Sequence, residues 1–145
     1  GGPPVFLKVA PDLDEDAPAR IVDVVTKHGI DGIIVSNTTI SRPPLQSRHG
    51  GEAGGLSGAP LKDLALQRLR DFRKASGGAI PLIGVGGIAT AEDAWQRIRA
   101  GASLVQLYSA MVYQGPGIAR QILTGLTECL RKSGFSTIAE AVGSE

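Results

Sequence analysis

Two pairs of residues in the second half of the sequence have the types and spacing of an anion-binding site. Gly86 and Gly87 end one apolar run, and Tyr108 and Ser109 end the next one along the chain. Glycine has no Cβ and can adopt a positive φ, so backbone N–H groups at such a turn can point at a phosphate. A sugar phosphate would suit this site as well as a cofactor phosphate. The alternative is a tight strand-to-helix turn that binds no ligand.

A lysine stands inside the first apolar run, V-F-L-K-V-A at residues 5–10. An unpaired ammonium group is costly to bury, so Lys8 in a buried strand needs an anionic or strongly accepting partner. A reduced flavin is one such partner, because its ring carries negative charge near N1 and O2. Extension of Lys8 into solvent, or an ion pair with a carboxylate such as Asp31, explains the sequence equally well.

Uncharged amide and hydroxyl side chains follow the second apolar run, at residues 36–39 (S-N-T-T). The carboxamide of Asn37 can donate and accept hydrogen bonds at once, which suits a planar imide or a carboxylate ligand. The alternative is that these side chains cap the next loop. That loop, residues 40–60, has no periodicity, and connections of this length are usually functional or disordered. Its most ordered-looking part is G-G-L-S-G at residues 54–58.

These candidate residues are distributed over four apolar strands that alternate with amphipathic helices. Such alternation predicts parallel strands joined by right-handed crossovers. The strands are expected at residues 5–10, 32–37 (extended by Thr38 and Thr39), 80–85 and 104–108, and the helices from Asp12 or Asp14 to Gly29, from about Pro60 to Gly77, from Thr90 to Gly101, from about Gly117 to Lys132 and from about Thr137 to Val142.

Capping residues and the spacing of apolar residues predict where two of these helices begin and which face of the first helix is buried. Asp12 or Asp14 is expected to cap the first helix, and Thr90 paired with Asp93 is expected to cap the third. The first helix is expected to bury a face that consists of Ala17, Ile21, Val24 and Val25.

Two architectures fit four strand–helix units: half of an eight-stranded β/α barrel, or a small doubly wound sheet. In a barrel, ligand groups lie at the carboxyl ends of the strands, and phosphate sites are frequently formed by the last two loops. The unusual residues of this sequence all follow strands, which favours the barrel. A complete barrel takes roughly 250 residues, so 145 residues correspond to about half of one.

Composition excludes several functional classes. A net charge of +1 gives no basic footprint for nucleic acid. No apolar run approaches the roughly 20 residues that span a bilayer, and no secretory signal is visible. Histidines, cysteine and carboxylates show no metal-site spacing, and the single cysteine, Cys129, is expected in the core. The opening residues, G-G-P-P, suggest a piece of a longer protein.

Five stretches of the sequence together resemble dihydroorotate dehydrogenase, in the right order and over nearly the whole chain. They are K-V-A-P-D-L at residues 8–13, S-N-T-T-I-S-R at 36–42, G-G-L-S-G-A-P-L at 54–61, I-G-V-G-G-I at 83–88 and A-G-A-S-L-V-Q-L-Y-S at 100–109. The N-T-T-x-S-R wording and the Y-x-G-P sequence at residues 113–116 resemble class 2, the membrane-associated, quinone-reducing type. The whole chain, residues 1–145, aligns only with the carboxyl-terminal half of that family's barrel.

The resemblance implies a TIM (β/α)8 barrel with tightly held FMN that oxidises dihydroorotate to orotate in pyrimidine (UMP) biosynthesis and reduces a quinone. It implies cofactor contacts by Lys8, Ser36, Gly58, Gly86, Gly87, Tyr108 and Ser109, with Lys8 at the ring and the last four residues at the phosphate. It implies that Asn37 and Thr38 hydrogen-bond orotate. Serines at 36 and 109 stand where threonine is more usual, and both keep the hydroxyl.

The resemblance also implies what lies outside these residues. The serine base of class 2 enzymes and the quinone entrance belong to the amino-terminal half, so no catalytic base is expected in this chain. The expected partners are dihydroorotate or orotate, a quinone bound through that missing region, and either the missing half-barrel or a second copy of this chain. The complete protein is expected to be peripheral on the cytoplasmic side of the inner membrane, and this chain by itself soluble.

Two alternatives remain at this stage. One is a catalytically inert half-barrel that self-associates, since four strands leave two open sheet edges. The other is a fragment of another FMN-dependent barrel, such as a class 1 dihydroorotate dehydrogenase or a dihydropyrimidine dehydrogenase domain.

Overall fold

Four parallel strands form one sheet, paired in the order in which they occur in the chain. The structure, a computed structural model, describes residues 2–145. The strands are β1 (Phe6–Val9), β2 (Gly32–Val35), β3 (Leu82–Val85) and β4 (Ala102–Gln106), and the helices are α1 (Ala17–His28), α2 (Lys62–Ser76, preceded by a 3-10 turn at Ala59–Leu61), α3 (Ala91–Arg99), α4 (Ser109–Gln114), α5 (Ile118–Ser133) and α6 (Ile138–Ala141).

The strand order distinguishes the two architectures that the sequence allowed. A doubly wound sheet reverses its strand order at a switch point, whereas β1, β2, β3 and β4 are neighbours in simple succession. The register places Lys8 beside Ile34 and Ile34 beside Ile83. This is the arrangement of consecutive strands in a β/α barrel, so the expected parallel alternation is confirmed.

The helices cover only one face of the sheet. Ile33 and Val35 of β2 and Leu82 of β3 have no exposed surface, and they pack with Leu69 and Phe72 of α2. Side chains alternate between faces along a strand, and the opposite face is open: Leu104 of β4 is 62% exposed. A second apolar cluster joins α3, α5 and α6, and it contains Ile88, Ala94, Trp95, Ile98, Ile118, Ile122, Leu126 and Ala141.

Two expectations for α1 are wrong. The helix begins after Asp16, whose side chain makes no capping hydrogen bond, because the expected caps are engaged elsewhere: Asp14 pairs with Arg20 at 2.9 Å and Asp12 binds the loop after β2. Val24 is 55% exposed. Ala17 and Val25 are buried as expected and Ile21 packs against the core, while Pro18 and Val22 join the buried face in place of Val24.

The segment between β4 and α5 also differs from expectation. The fourth strand ends at Gln106, before Tyr108, and α4 begins at Ser109. This six-residue helix was not expected from the sequence, because its N-cap residue, Tyr108, offers no side-chain cap and its first turn has no acidic residue. The site residues Tyr108 and Ser109 are therefore the N-cap and the first residue of α4, instead of the end of a strand.

The capping box of α3 is confirmed. Asp93 N–H donates to Thr90 Oγ1 at 3.1 Å, and Asp93 Oδ2 accepts from the N–H groups of Thr90 and Ala89, both at 3.0 Å. Asp93 Oδ1 also forms a salt bridge with Lys62, at the start of α2. Burial acts to raise the pKa of the Asp93 carboxyl, but the Lys62 ammonium and the backbone donors outweigh it and hold that pKa below its usual value. The box therefore ties α3 to α2.

Replacement of Asp93 by Asn should destabilise the fold in a pH-dependent way. The variant keeps the shape but loses the charge opposite Lys62, which is expected to cost about 1–3 kcal/mol in the free energy of unfolding at pH 7. Because the folded-state pKa of Asp93 is depressed, its contribution is present above the unfolded pKa of about 4 and is lost as pH falls below it. Urea unfolding at pH 7 and pH 3 measures both effects.

The matched control is Glu92→Gln, which removes an exposed carboxylate from the same helical turn. It should leave the unfolding free energy within about 0.5 kcal/mol of the parent value. If the unfolding free energy of Asp93→Asn lies below that of the parent by the same amount at pH 7 and pH 3, the stabilisation does not come from the ionised carboxylate of Asp93.

Candidate functional site

A cleft of about 400 Å³ opens at the carboxyl ends of the four strands. It is lined by the ends of the strands and by the loops that follow them. All nine sequence-predicted site residues line it: Lys8, Ser36, Asn37, Thr38, Gly58, Gly86, Gly87, Tyr108 and Ser109. The structure therefore brings together residues that the sequence distributes over four strand–helix units, while their roles toward a ligand stay predictions.

The Gly86–Gly87 turn is closed behind and open toward the cleft. Both residues have positive φ, 119° and 69°. A Cβ on Gly87 would lie 2.5 Å from Cα of Lys62, and a Cβ on Gly86 would lie 2.8 Å from Cβ of Ala65. The turn thus packs directly on the first turn of α2, and only glycine meets both the steric and the conformational requirement.

A pair of hydroxyl groups joins the loop before α2 to the turn after β4. The Ser57 and Ser109 Oγ atoms lie 2.8 Å apart, in hydrogen-bond contact across 52 residues of sequence. A Cβ on Gly58 would lie 3.6 Å from Cβ of Ser109. Ser57 lines the cleft beside Gly58, although sequence reasoning missed it. Its only signal was its place within the G-G-L-S-G stretch.

Asn37 presents an unused donor to the cleft. Its backbone N–H donates to the carbonyl of Val9 at 2.7 Å, and its Oδ1 accepts from the N–H of Thr38 at 2.9 Å. This second bond is the loop-capping contact that the sequence left as the alternative. Within residues 2–145 the side-chain NH2 group of Asn37 makes no protein hydrogen bond, so it is available to an acceptor. The neighbouring Ser36 is buried, and its hydroxyl donates to the Asn37 carbonyl at 3.1 Å.

Lys8 lines the cleft but is exposed, so the argument from a buried ammonium group does not hold for this chain. The suggested pairing with Asp31 is wrong, because the Asp31 carboxylate accepts from the backbone N–H of Val5 at 2.6 Å. The ion pairs formed among the described residues do not include Lys8. The ammonium group is therefore available to an anionic or accepting ligand.

Asp12 anchors the start of the long loop that follows β2. Its carboxylate accepts from Thr39 Oγ1 at 2.6 Å, from Ser41 Oγ at 2.9 Å and from the N–H of Ile40 at 3.0 Å. Burial acts to raise the pKa of Asp12, but these hydrogen bonds to the ionised form hold that pKa below its usual value. Asp12 thereby fixes the chain just beyond Asn37.

Arg42 closes the same loop from its other side. The guanidinium donates to the carbonyls of Thr39, Glu52 and Gly54. Thr39 and Leu56 form an antiparallel bridge with N···O distances of 3.1 and 2.8 Å. The loop therefore folds back so that its glycine-rich end borders the cleft, and sequence reasoning assigned no role to Arg42 in this.

The described residues show no metal centre and no spanning helix. Across residues 2–145, no three His, Cys, Asp or Glu side chains are grouped so that they could hold a metal ion. No helix in that range combines the length and apolarity needed to cross a membrane.

Comparison with protein families and curated proteins gives consistent matches. The family model described as dihydroorotate dehydrogenase matches residues 2–130. A protein of Novosphingobium aromaticivorans is 66% identical over 98% of this chain, and one of Erythrobacter litoralis is 67% identical over 99% of it. Both are named dihydroorotate dehydrogenase (quinone). The chain spans 41% and 42% of their lengths, about two fifths.

Solved structures agree with these matches. The chain is similar to crystal structures of DHODH from Eimeria tenella, one in complex with ferulenol and one ligand-free. The TM-scores are 0.94 and 0.95 at 43% identity, over 98% and 99% of this chain and 38% and 40% of those chains. At this identity and coverage, the four strand–helix units correspond to part of a TIM barrel.

Replacement of Asp12 by Asn should loosen the loop of residues 40–57. An amide oxygen is a weaker acceptor than a carboxylate, and the second carboxylate oxygen becomes a donor that faces other donors. Trypsin cleavage after the exposed Arg48 should then accelerate about tenfold. Mass spectrometry of timed digests measures the rate.

Asp23→Asn, which alters an exposed carboxylate on α1, is the control and should cleave at the parent rate. If Asp12→Asn is cleaved no faster than this control, Asp12 does not hold the loop.

Proposed function

Because this chain belongs to the dihydroorotate dehydrogenase family, we propose that the protein containing it oxidises dihydroorotate to orotate with FMN and passes the electrons to a quinone. The reaction is a step in pyrimidine biosynthesis. Beyond the family match, one observation of the structure supports it most: a single cleft collects an ammonium group, a free carboxamide donor and a glycine turn. The glycine turn and the ammonium group suit a cofactor with an anionic tail and a polar planar ring, and the carboxamide suits a planar, anionic substrate beside it.

Membership of the family implies a flavin, and the residues present fit one. The turn at Gly86 and Gly87 is closed behind by α2 and open in front. Among the described residues, the N–H groups of Gly86 and Gly87 do not donate to any backbone carbonyl in the loops and turns. Unpaired N–H groups at such a turn form a concavity that suits an anion. The phosphate of FMN is the anion we propose for it.

The turn after β4 completes the phosphate site in this proposal. The backbone at Tyr108 and Ser109 contributes its N–H groups, and the Ser109 hydroxyl is held by Ser57 at 2.8 Å. Gly58 packs against Ser109 without a side chain of its own, so the loop before α2 can approach the cofactor closely. Phosphate sites in barrels are frequently made by the last two such loops.

Lys8 and Ser36 are proposed to face the isoalloxazine ring. The flavin would supply the acceptor for hydride from dihydroorotate and the route of the electrons to the quinone. The Lys8 ammonium places a positive charge in the cleft, and beside a flavin it would stabilise the reduced, negatively charged ring more than the oxidised ring. Ser36 holds its hydroxyl against the Asn37 carbonyl and contributes packing at the ring edge.

Asn37 and Thr38 are proposed to bind orotate. The free NH2 group of Asn37 can donate to a carboxylate or an imide carbonyl of the substrate, and the Thr38 hydroxyl can donate or accept. The Thr38 side chain is held from behind, because Gly55 lies against it so closely that a Cβ there would come within 1.9 Å of Thr38 Oγ1. Gly55 therefore limits the space on one side of the Thr38 hydroxyl.

The remaining parts of the activity belong to the rest of the protein in this proposal. The serine base that would take the one proton dihydroorotate loses beside the hydride, the quinone entrance and a peripheral membrane contact are proposed to lie outside these residues. So are the strands that would pair with β1 and β4. Both curated relatives carry the quinone in their names, which favours this reading over a class 1 type enzyme or an inert fragment.

The proposal is tested on the complete protein that contains this sequence, by its bound flavin and by dihydroorotate-dependent reduction of a quinone analogue. The purified protein should be yellow and release FMN on denaturation, identified by mass spectrometry. A colourless protein that takes up no FMN on incubation, and that does not oxidise dihydroorotate, would overturn the proposal.

Replacement of Lys8 by Gln should slow the reduction of the flavin without releasing it from the protein. Removal of one electrostatic contact that strengthens in the transition state is expected to lower kcat by about 100-fold, while FMN stays bound. Stopped-flow reduction of the flavin by dihydroorotate measures the chemical step directly. Lys27→Gln, at the exposed end of α1, is the control and should react at the parent rate. An unaltered rate in Lys8→Gln would remove Lys8 from the site.

A further inference from the structure

A buried arginine lies directly behind the glycine turn. Arg97, on α3, is 2% exposed. Its Nη2 donates to two backbone carbonyls, those of Gly86 and Lys62, each at 2.7 Å. Its aliphatic part passes beside Gly84 of β3, where a Cβ would lie 3.3 Å from Cβ of Arg97. The guanidinium therefore sits between the turn after β3 and the start of α2.

The hydrogen bond from Arg97 to the Gly86 carbonyl also fixes the direction of the neighbouring Gly87 N–H. The carbonyl of Gly86 and the N–H of Gly87 belong to one planar trans peptide unit, in which the two groups point in opposite directions. Arg97 holds the Gly86 oxygen on the buried side. The N–H of Gly87 must then point away from Arg97, toward the cleft that Gly87 lines. A cationic donor on the carbonyl also polarises the peptide, so the N–H becomes a stronger donor.

Arg97 is poorly explained by stability alone. Its Nε and Nη1 are buried and, within the described residues, have no hydrogen-bond partner. A buried guanidinium with unpaired donors costs free energy that an apolar side chain at this position would not. Burial lowers the pKa of the guanidinium to about 10, with Asp93 opposing the shift, so the side chain is charged at neutral pH. Such a cost is expected where a charge has a functional role.

We propose that Arg97 is a positioning residue for the phosphate of the cofactor: it fixes the Gly86 carbonyl from behind and so aims and strengthens the Gly87 N–H toward the anion. The inference rests on the proposed FMN site and adds a residue to it. Arg97 itself does not touch the ligand. Its effect should therefore be confined to ligands that carry the phosphate.

Comparison of FMN with riboflavin, which lacks the phosphate, isolates this effect. Flavin-depleted whole protein is titrated with each ligand, and quenching of flavin fluorescence gives the Kd. In Arg97→Gln the FMN Kd should rise about tenfold, the loss expected for one charge-assisted hydrogen bond, while the riboflavin Kd stays within about twofold. Arg97→Lys keeps the charge but not the planar guanidinium, so its FMN Kd should lie between those of the parent and Arg97→Gln. Arg99→Gln, on the same helix, where the Arg99 side chain donates to Ser144 Oγ instead of to the glycine turn, should match the parent for both ligands.

The outcomes separate this inference from the proposal on which it rests. A parent protein that binds FMN no more tightly than riboflavin overturns the phosphate site and the role of Arg97 with it. A parent that prefers FMN, together with a folded Arg97→Gln that keeps the same preference, overturns only the role of Arg97. Equal weakening of both ligands in Arg97→Gln indicates a purely structural role and also overturns it. If Arg97→Gln does not fold, Arg97→Lys is used in its place. An Arg97→Lys protein that prefers FMN over riboflavin as strongly as the parent does would overturn the role of Arg97.

Discussion

The common direction of the four strands is the constraint on which the site depends. Because β1 to β4 are parallel and neighbours in succession, their carboxyl ends meet at one edge, and whatever follows each strand is delivered to the same cleft. Lys8 lies within β1, Asn37 follows β2, the glycine turn follows β3 and Ser109 follows β4. No one of these residues is distinctive by itself. The sheet makes a single site of them, which is how barrels support their chemistry in general.

The sequence was sufficient for the architecture and for most of the cleft. Alternation of apolar runs with amphipathic segments predicted the parallel sheet, and the spacing of Thr90 and Asp93 predicted the capping box of α3. These signals are local, because strand periodicity and caps depend on residues within one turn or one pleat. The resemblance to dihydroorotate dehydrogenase supplied the expected roles of these residues, which spacing alone left open between a ligand site and a plain turn.

What the sequence did not reveal is long-range. The Ser57–Ser109 contact joins residues 52 positions apart, and Asp12 was expected to cap α1 because its actual partners, Thr39 and Ser41, are distant in sequence. Arg97 had one usable signal: it stands four residues after Asp93 and three after Ala94, so helical spacing places it on the same face as these two residues. The partner carbonyls of its guanidinium belong to other elements, and no pattern in the sequence specifies them.

The packing of the glycine turn has a genetic consequence. A single change at the first or second base of a glycine codon gives a residue that carries a β-carbon or a stop codon, whereas a change at the third base keeps glycine. At Gly86 and Gly87 such a carbon would overlap Ala65 or the backbone of Lys62, and neither neighbour can withdraw without moving the start of α2. Any single-base change that replaces Gly86 or Gly87 by another amino acid should therefore disturb the packing. Variation in a population should be confined to synonymous changes at these two codons.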